Sequence, residues 1–147
     1  MSIKAGEYIL YNEEDSTNLA IQISNNIKPG DVLTFSGDLG AGKTFLCRQI
    51  IKQLCGSATN VTSPTFNLLQ IYDWKDCSIY HYDLYRLKNI SEIYELGIEE
   101  AFTSNVCLIE WPELIDTILP NNTIIFNIEI IDYNKRRVFV KTKLYCH

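Results

Sequence analysis

The segment VLTFSGDLGAGKTFL at residues 32–46 places three glycines, a lysine and a threonine between two apolar runs. A glycine in a structured segment costs about 0.5–1 kcal/mol relative to alanine, so this concentration indicates that another interaction offsets the cost. Residues 37–44 match the phosphate-loop pattern G-x-x-x-x-G-K-[ST], with an apolar strand before them and an amphipathic helix after them. In such a loop, backbone N–H groups and the positive end of the helix dipole face phosphate oxygens. The sequence therefore predicts a site for a nucleoside triphosphate.

The side chains of this loop predict separate roles. Lys43 supplies a mobile positive charge for the β- and γ-phosphates, and the Thr44 hydroxyl is suited to bind Mg²⁺. The glycines allow the backbone to curve around the phosphate groups. The residues expected to contact the nucleotide here are Gly37, Asp38, Leu39, Gly40, Ala41, Gly42, Lys43, Thr44 and Phe45.

Length and composition indicate an ordinary globular protein. The chain has 147 residues, of which 46% are hydrophobic and 21% are charged, so residues 1–147 are expected to form a single P-loop ATPase domain. Eighteen acidic and thirteen basic side chains give a net charge of −5. Proteins that grip nucleic acid alone use a basic surface to release counterions, so tight direct binding to DNA or RNA is disfavoured. A partner could still bring the chain to RNA.

The cysteines and the N-terminal segment indicate a reducing compartment. The five cysteines form no C-x-x-C pair, and the N-terminal residues lack the long apolar core of a secretory signal. No stretch resembles a transmembrane span, so no contact with a membrane is expected. A zinc cluster is disfavoured because the two histidines are far apart in the sequence. We therefore expect a cytoplasmic protein with reduced thiols.

Hydrophobic periodicity predicts an α/β fold of the P-loop NTPase type, with helices flanking a mixed, mostly parallel sheet. A four-residue apolar repeat after the glycine loop predicts a helix that ends near Gly56. Ser16 or Thr17 is expected to cap an earlier helix, which stops at residues 28–30. Strands are predicted at residues 8–11, 32–37, 67–73, 78–85, 106–110, 123–131 and 137–144, and shorter helices at 91–102 and 112–118.

Two predicted strands end in an acid that could serve the metal side of a phosphate loop. The strand VCLIE ends at Glu110, and IYHYD ends at Asp83. A phosphate loop by itself lacks a second acid near magnesium and a group that orients the attacking atom. Such an acid usually follows a neighbouring strand, so both carboxylates are candidate catalytic residues.

Three further residues lie close to these acids in the sequence. Trp111 directly follows Glu110, where it either borders the site or packs beneath a loop. His81 shares a strand face with the acid two residues later, and a structural role is favoured for it. Thr65 follows Pro64 in a loop and is a candidate contact to the metal or the γ-phosphate.

Residues 134–137 indicate which base the bound nucleotide carries. Guanine-specific P-loop proteins often carry Asn-Lys-x-Asp, in which the acid pairs with the guanine edge. Here the tetrad is Asn-Lys-Arg-Arg, without the acid. The sequence therefore favours ATP.

Five short motifs follow one another along the chain: GDLGAGKT at 37–44, VTSPTF at 61–66, HYDLYRL at 81–87, ELGIEEAF at 95–102 and LIEWPE at 108–113. Together they resemble the TsaE family, formerly YjeE, which are small bacterial P-loop ATPases of tRNA threonylcarbamoyladenosine synthesis. The likeness extends over about the whole chain. The second, third and fifth motifs are far more distinctive than the phosphate loop alone.

The resemblance implies a set of site residues and a reaction. ATP is expected at residues 37–44, with Mg²⁺ held by Thr44 and Glu110. Asp83, Glu110 and Trp111 are expected to matter for hydrolysis, and Thr65 to belong to a switch-like loop. The ATPase activity of the isolated chain is expected to be weak.

The resemblance also implies partners. The family works in complex with TsaB and TsaD, in which TsaD transfers the threonylcarbamoyl group to the adenosine beside the anticodon. The ATP cycle of the family supports turnover of that transfer. This role agrees with the acidic net charge, because the chain then meets tRNA only through the complex.

Two positions depart from the family pattern or leave a choice. The family often has a second threonine where this chain has Phe45, which affects only a minor contact to the α-phosphate. An arginine of the C-terminal strand is expected near the nucleotide. Arg136 is assigned to that place, with Arg137 as the alternative.

Two other functions compete with this interpretation. A small-molecule kinase would need a second substrate pocket and an arginine-bearing lid, whereas the chain has only four arginines, thinly spread. A nucleotide-gated interaction module would present different surfaces with ATP and ADP and would need little hydrolysis. Phosphate release from ATP without a phosphoryl acceptor would oppose the kinase interpretation. A Glu110→Ala variant that binds partners but loses hydrolysis and tRNA modification would favour the ATPase over the passive module.

Overall fold

The computed structural model describes residues 3–64 and 66–143, which form seven strands, four α-helices and one 3₁₀ helix. The strands are β1 (Gly6–Leu10), β2 (Val32–Ser36), β3 (Leu69–Trp74), β4 (Cys77–Asp83), β5 (Val106–Glu110), β6 (Ile124–Ile130) and β7 (Arg136–Thr142). The α-helices are α1 (Glu13–Ser24), α2 (Lys43–Cys55), α3 (Ser91–Glu95) and α4 (Ile98–Ser104), and the 3₁₀ helix covers Pro112–Ile118.

All seven strands of the described residues join one sheet, in the order β1-β7-β6-β2-β5-β4-β3. The four neighbouring strands β6, β2, β5 and β4 are parallel to one another. β3 is antiparallel to β4, β7 is antiparallel to β6, and β1 is antiparallel to β7. Two successive reversals return β1 to the direction of the four central strands, so five of the seven strands run the same way. The predicted α/β fold with a mixed, mostly parallel sheet is confirmed.

Helices cover both faces of the sheet. On one face α1 and α2 bury their apolar sides, and on the other face α3, α4 and the 3₁₀ helix do so. Side chains from β2 and β5 enter both cores, because alternate residues of a strand point to opposite faces. This double burial explains why both strands are nearly continuous apolar runs. The largest fully buried side chains include Phe35, Phe126, Ile23, Leu46 and Ile50 on the α2 face and Tyr82, Ile93 and Ile98 on the other.

The strand predictions differ from the observed bounds by at most two residues, but three helix predictions need correction. Helix α1 ends at Ser24, earlier than the predicted stop at residues 28–30. Helix α1 starts at Glu13, whereas a cap at Ser16 or Thr17 would start it at residue 17 or 18. The cap is Asn12, whose side chain accepts a hydrogen bond from the Asp15 N–H at 2.9 Å. The single helix predicted at 91–102 is two helices. Gly97, at φ +73°, reverses the chain between them.

The parallel strands bring three loops to one edge of the sheet. β2, β4 and β5 end side by side there, with Phe35 opposite Glu110 and Asp83 opposite Glu110 in the strand register. The glycine loop leaves β2 at this same edge. Ligand sites of open α/β sheets lie at the carboxyl ends of the strands, so this edge is where a site is expected. Within residues 3–64 and 66–143, no helix has the length and apolar character needed to cross a membrane.

Candidate phosphate-binding site

The glycine loop is shaped by two kinds of backbone requirement. Gly40 and Gly42 have φ values of +80° and +105°, a region that favours glycine, and open space surrounds both Cα atoms. Gly37, at φ +151°, faces a close approach instead. A Cβ atom there would lie 2.3 Å from the carbonyl oxygen of Ile128 in β6. Gly37 therefore packs tightly against β6, whereas Gly40 and Gly42 allow the rest of the loop to curve.

Replacement of Gly37 by alanine is expected to destabilise the fold by about 2–4 kcal/mol, because backbone strain and a clash with a strand carbonyl add together. Gly40→Ala is the matched control, since it brings positive-φ strain of about 1 kcal/mol without a clash. Denaturant unfolding of both variants measures the difference. Equal stability of the two variants would show that the approach to Ile128 is not tight.

Helix α2 begins directly after the loop without a side-chain cap. Its N-cap residue is Gly42, whose backbone is left-handed, and its first turn contains no acidic residue. The N–H groups of that turn thus lack both a capping side chain and a neutralising carboxylate. The positive end of the helix dipole faces the loop, which favours an anion there.

Lys43 is the first residue of α2 and is only 5% exposed. Its Nζ donates to the carbonyl oxygens of Gly37 and Asp38, at 2.5 and 2.8 Å, and lies 4.0 Å from the centroid of the Trp111 ring. Burial lowers the pKa of Lys43 below its ordinary value, and the negative charge of Glu110 is the largest opposing influence. None of the ion pairs recorded among the described residues involves Lys43. Within the described part of the chain, this desolvated ammonium contacts two carbonyls and a ring, which suits it to receive an anion.

Thr44 and Glu110 form the oxygen pair of the site. The Thr44 hydroxyl donates to Glu110 Oε1 at 2.6 Å, across 66 residues of sequence. Glu110 ends β5 and is 1% exposed, and its Oε2 lies 2.7 Å from His81 Nε2 in β4. Hydroxyl and carboxylate oxygens are the hard ligands that Mg²⁺ prefers, so this donor set fits that ion.

Asp83 lies next to this pair, at the end of β4. It is buried and stands opposite Glu110 in the parallel register. Its Oδ1 accepts a hydrogen bond from the Tyr85 N–H at 3.1 Å, and its own N–H donates to the Leu68 carbonyl at 3.0 Å. The structure therefore brings both predicted acids to the same side of the loop. Thr65, the remaining predicted catalytic residue, lies outside the described residues.

Trp111 forms a wall of the site. Its backbone is left-handed, at φ +56° and ψ +60°, which is strained for an aromatic residue. The indole contacts the Tyr85 ring at a centroid distance of 4.7 Å and lies against the Lys43 ammonium. The strained backbone of Trp111 thus directs its ring toward the glycine loop. Of the two alternatives for this residue, it borders the site and does not pack beneath a loop.

Two cavities flank the loop and share Gly40, Gly42 and Phe45 in their walls. The first, of about 420 Å³, contains the acids and is also lined by Leu39, Lys43, Thr44, Asp83, Tyr85, Arg86, Glu110 and Trp111. The second, of about 470 Å³, lies toward the start of α1 and the turn between β6 and β7, and is also lined by Asn12, Glu13, Ser16, Ala41, Tyr133, Asn134 and Arg136. Both volumes lie in the range of small-molecule sites.

The two candidate arginines lie in different places. Arg136 lies beside the loop, where its Nε donates to the Ala41 carbonyl at 3.1 Å and its Nη2 to the Gly40 carbonyl at 3.3 Å. Its Nη1 donates to carbonyls of the β6–β7 turn. Arg137 instead pairs with Glu7 at 2.8 Å and Glu129 at 3.5 Å. Arg136, and not Arg137, therefore contacts the glycine loop, and its hydrogen bonds connect that loop to the β6–β7 turn.

Two contacts of the site were not predicted from the sequence. His81 hydrogen-bonds to Glu110, although the only signal was that it shares a strand face with Asp83. The Tyr85 ring contacts the Trp111 ring at an interplanar angle of 46°, and nothing in the local sequence of Tyr85 indicates that contact. The Cys47 thiol also lies near the acids, and burial raises its pKa well above the ordinary value.

Comparisons with known proteins agree on one family. A family model described as "Threonylcarbamoyl adenosine biosynthesis protein TsaE" matches residues 10–138. The tRNA threonylcarbamoyladenosine biosynthesis protein TsaE of Rickettsia felis is 56% identical over 128 residues, or 87% of this chain and 75% of that protein. The protein of the same name from Bacillus subtilis is 42% identical over 110 residues, or 74% and 68% of the two chains.

A solved structure resembles the whole described fold. The crystal structure of Bacillus subtilis YdiB superposes with a TM-score of 0.76 and is 30% identical in sequence. The likeness covers 97% of this chain and 88% of that one. The residues that the family model matches, 10–138, include the glycine loop and the strands that carry both acids.

Proposed function

The chain belongs to the TsaE family of tRNA threonylcarbamoyladenosine biosynthesis, and we propose that it binds ATP with Mg²⁺ and slowly hydrolyses the nucleotide. One observation carries this proposal. Lys43 and the Thr44–Glu110 oxygen pair converge on one cavity at the start of α2. A cation, an uncapped helix start and a hard-oxygen pair together suit a phosphate chain with its metal ion.

The proposed ATP lies across the loop from one cavity to the other. Its triphosphate extends over the backbone of residues 37–44, with Lys43 against the β- and γ-phosphates. Its nucleoside occupies the second cavity, beside Tyr133 and Asn134. Residues 134–137 lack the acid that guanine-specific proteins use, which supports adenine as the base. Arg136 holds the loop at the border of the two cavities.

Thr44 and Glu110 would hold Mg²⁺ on the first-cavity side. When bound, the ion neutralises charge that develops on the phosphate oxygens. Asp83, buried beside Glu110, is placed to accept a proton from the attacking water or to orient that water. The Trp111 ring, whose centroid lies 4.0 Å from Lys43 Nζ, would shield the ammonium from solvent. The proposed role of Thr65 in a switch-like loop remains a prediction.

The proposed partners are TsaB and TsaD, with tRNA reached through their complex. Exposed apolar side chains support a protein partner near the first cavity. Leu39, which lines that cavity, is 66% exposed, and Phe66, whose ring lies 5.0 Å from the guanidinium carbon of the lining residue Arg86, is 84% exposed. The net charge of −5 is consistent with this indirect contact to tRNA. We propose that residues 1–147 form one ATPase domain and that the chain acts in the cytoplasm.

Reconstitution tests the proposal directly. The chain is mixed with TsaB, TsaD and tRNA, with and without ATP, and both modified adenosine and released phosphate are followed through repeated rounds. We expect turnover beyond one round only when both the chain and ATP are present, with phosphate released and no phosphoryl acceptor required. Equal turnover without the chain, or with a non-hydrolysable ATP analogue, would contradict the ATPase role.

A further inference from the structure

Glu110 is held by a hydrogen bond that the proposed metal site does not use. Its Oε1 accepts from the Thr44 hydroxyl, whereas its Oε2 lies 2.7 Å from His81 Nε2. His81 is 0% exposed and Glu110 is 1% exposed, so water does not compete for either contact. A carboxylate bonded at both oxygens cannot rotate without breaking one of its two bonds.

Strand pairing determines where His81 lies. In the parallel register of β4 and β5, His81 stands opposite Leu108, and Asp83 stands opposite Glu110. Two residues before His81 on the same face is Ile79, an apolar core residue beneath α2. The position of His81 is therefore one that an apolar side chain would ordinarily fill.

The His81 ring is satisfied at only one of its two nitrogens. Nδ1 is buried and has no hydrogen-bond partner within the part of the chain that the structure describes. Because a carboxylate only accepts hydrogen bonds, we assign the ring hydrogen to Nε2 from this contact. A buried polar atom without a partner is unfavourable, and departures of this kind are expected where function requires the residue.

We propose that His81 is a positioning residue for Glu110, whose Oε2 it holds so that Oε1 stays directed at Thr44. The proposal rests on the proposed function, since it gives His81 a role only if Thr44 and Glu110 hold Mg²⁺. Groups that hydrogen-bond to a metal ligand typically change metal affinity by about 10–100-fold when they are replaced. Loss of the His81 bond would free the carboxylate to rotate away from Thr44.

Three replacements of His81 separate positioning from packing. In His81→Gln the side-chain amide can place an N–H group near the position of Nε2, whereas in His81→Asn it reaches only the position of Nδ1. The asparagine variant is thus the matched control, with the same chemistry and a shorter reach. His81→Leu removes the hydrogen bond but keeps an apolar filling. Circular dichroism establishes that each variant is folded.

Metal affinity is the decisive measurement. Mn²⁺ replaces Mg²⁺ as a spectroscopic probe, and its binding to each variant with ATP present is titrated by electron paramagnetic resonance. We expect binding to weaken about 10-fold in His81→Asn and His81→Leu, and by less than about threefold in His81→Gln. The affinity for ATP measured in EDTA is expected to stay at the wild-type value in all three.

The possible outcomes separate the two proposals. A purely structural histidine would lower the melting temperature of the variants but leave their Mn²⁺ affinity unchanged, which would overturn the positioning role. Equal losses in the glutamine and asparagine variants would also overturn it. If the wild-type chain binds no nucleotide at all, the proposed function fails together with the positioning role. Wild-type binding with an unaffected asparagine variant removes the positioning role alone.

Discussion

Replacement of Lys43 by alanine is expected to weaken ATP binding by about 100-fold or more, to the point where a titration detects none. Hydrogen bonds to charged groups are worth about 1.5–3 kcal/mol each, and the ammonium is expected to reach two phosphates. A loss near 3 kcal/mol corresponds to about two orders of magnitude in affinity. Lys43 is buried beside Trp111 at the start of α2, so its replacement removes the positive charge from the place where the phosphates are expected.

Lys52→Ala is the matched control for this prediction. Lys52 lies in the last turn of the same helix, so its replacement removes the same charge at a distance from the loop. Calorimetric titration with ATP, together with the melting temperature, distinguishes lost binding from lost folding. Undiminished affinity in a folded Lys43→Ala variant would remove the lysine from the nucleotide site. A comparable loss in Lys52→Ala would show that overall charge, and not the loop, governs binding.

Replacement of Glu110 by glutamine is expected to slow ATP hydrolysis by about 100-fold or more, since metal-assisted charge stabilisation is worth several kcal/mol. The substitution keeps the size of a side chain that is buried between Thr44 and His81 but removes its negative charge. Binding of ATP in EDTA is expected to survive, because the phosphate contacts of Lys43 and the loop remain. Hydrolysis assays over a range of Mg²⁺ concentrations, alongside metal-free binding, check both parts.

The same variant distinguishes the ATPase from a passive nucleotide-gated module. We expect Glu110→Gln to bind TsaB and TsaD but to lose repeated rounds of tRNA modification. Equal modification by the variant would favour the passive module. Asp83→Asn is the companion variant, expected to slow hydrolysis while leaving the Mg²⁺ dependence unchanged. Native turnover in that variant would mean that Asp83 has no part in the reaction.

Local sequence was enough for much of the architecture. The fully apolar strands β2 and β5, buried on both faces, were recognisable as runs because their burial removes the need for alternation. The end of α2 was predictable because Gly56 can adopt the conformation that stops a helix. The predicted start of α1 is wrong because Asn12, Asp15, Ser16 and Thr17 are all of residue types that can cap a helix. Only the contact between Asn12 and Asp15 shows which one does.

The sequence by itself determined that a phosphate loop stands between a buried strand and a helix, because its glycines, Lys43 and Thr44 act through backbone conformation over a few neighbouring residues. Only the tertiary structure decided which distant groups meet that loop. Glu110 reaches Thr44 across 66 residues and His81 across 29, and Arg136 rather than Arg137 contacts the loop carbonyls. These contacts depend on strand order and register, which arise from the packing of the whole sheet. A short segment can therefore mark a strand-final acid such as Glu110 as a candidate, but it does not show that Glu110 hydrogen-bonds to both Thr44 and His81.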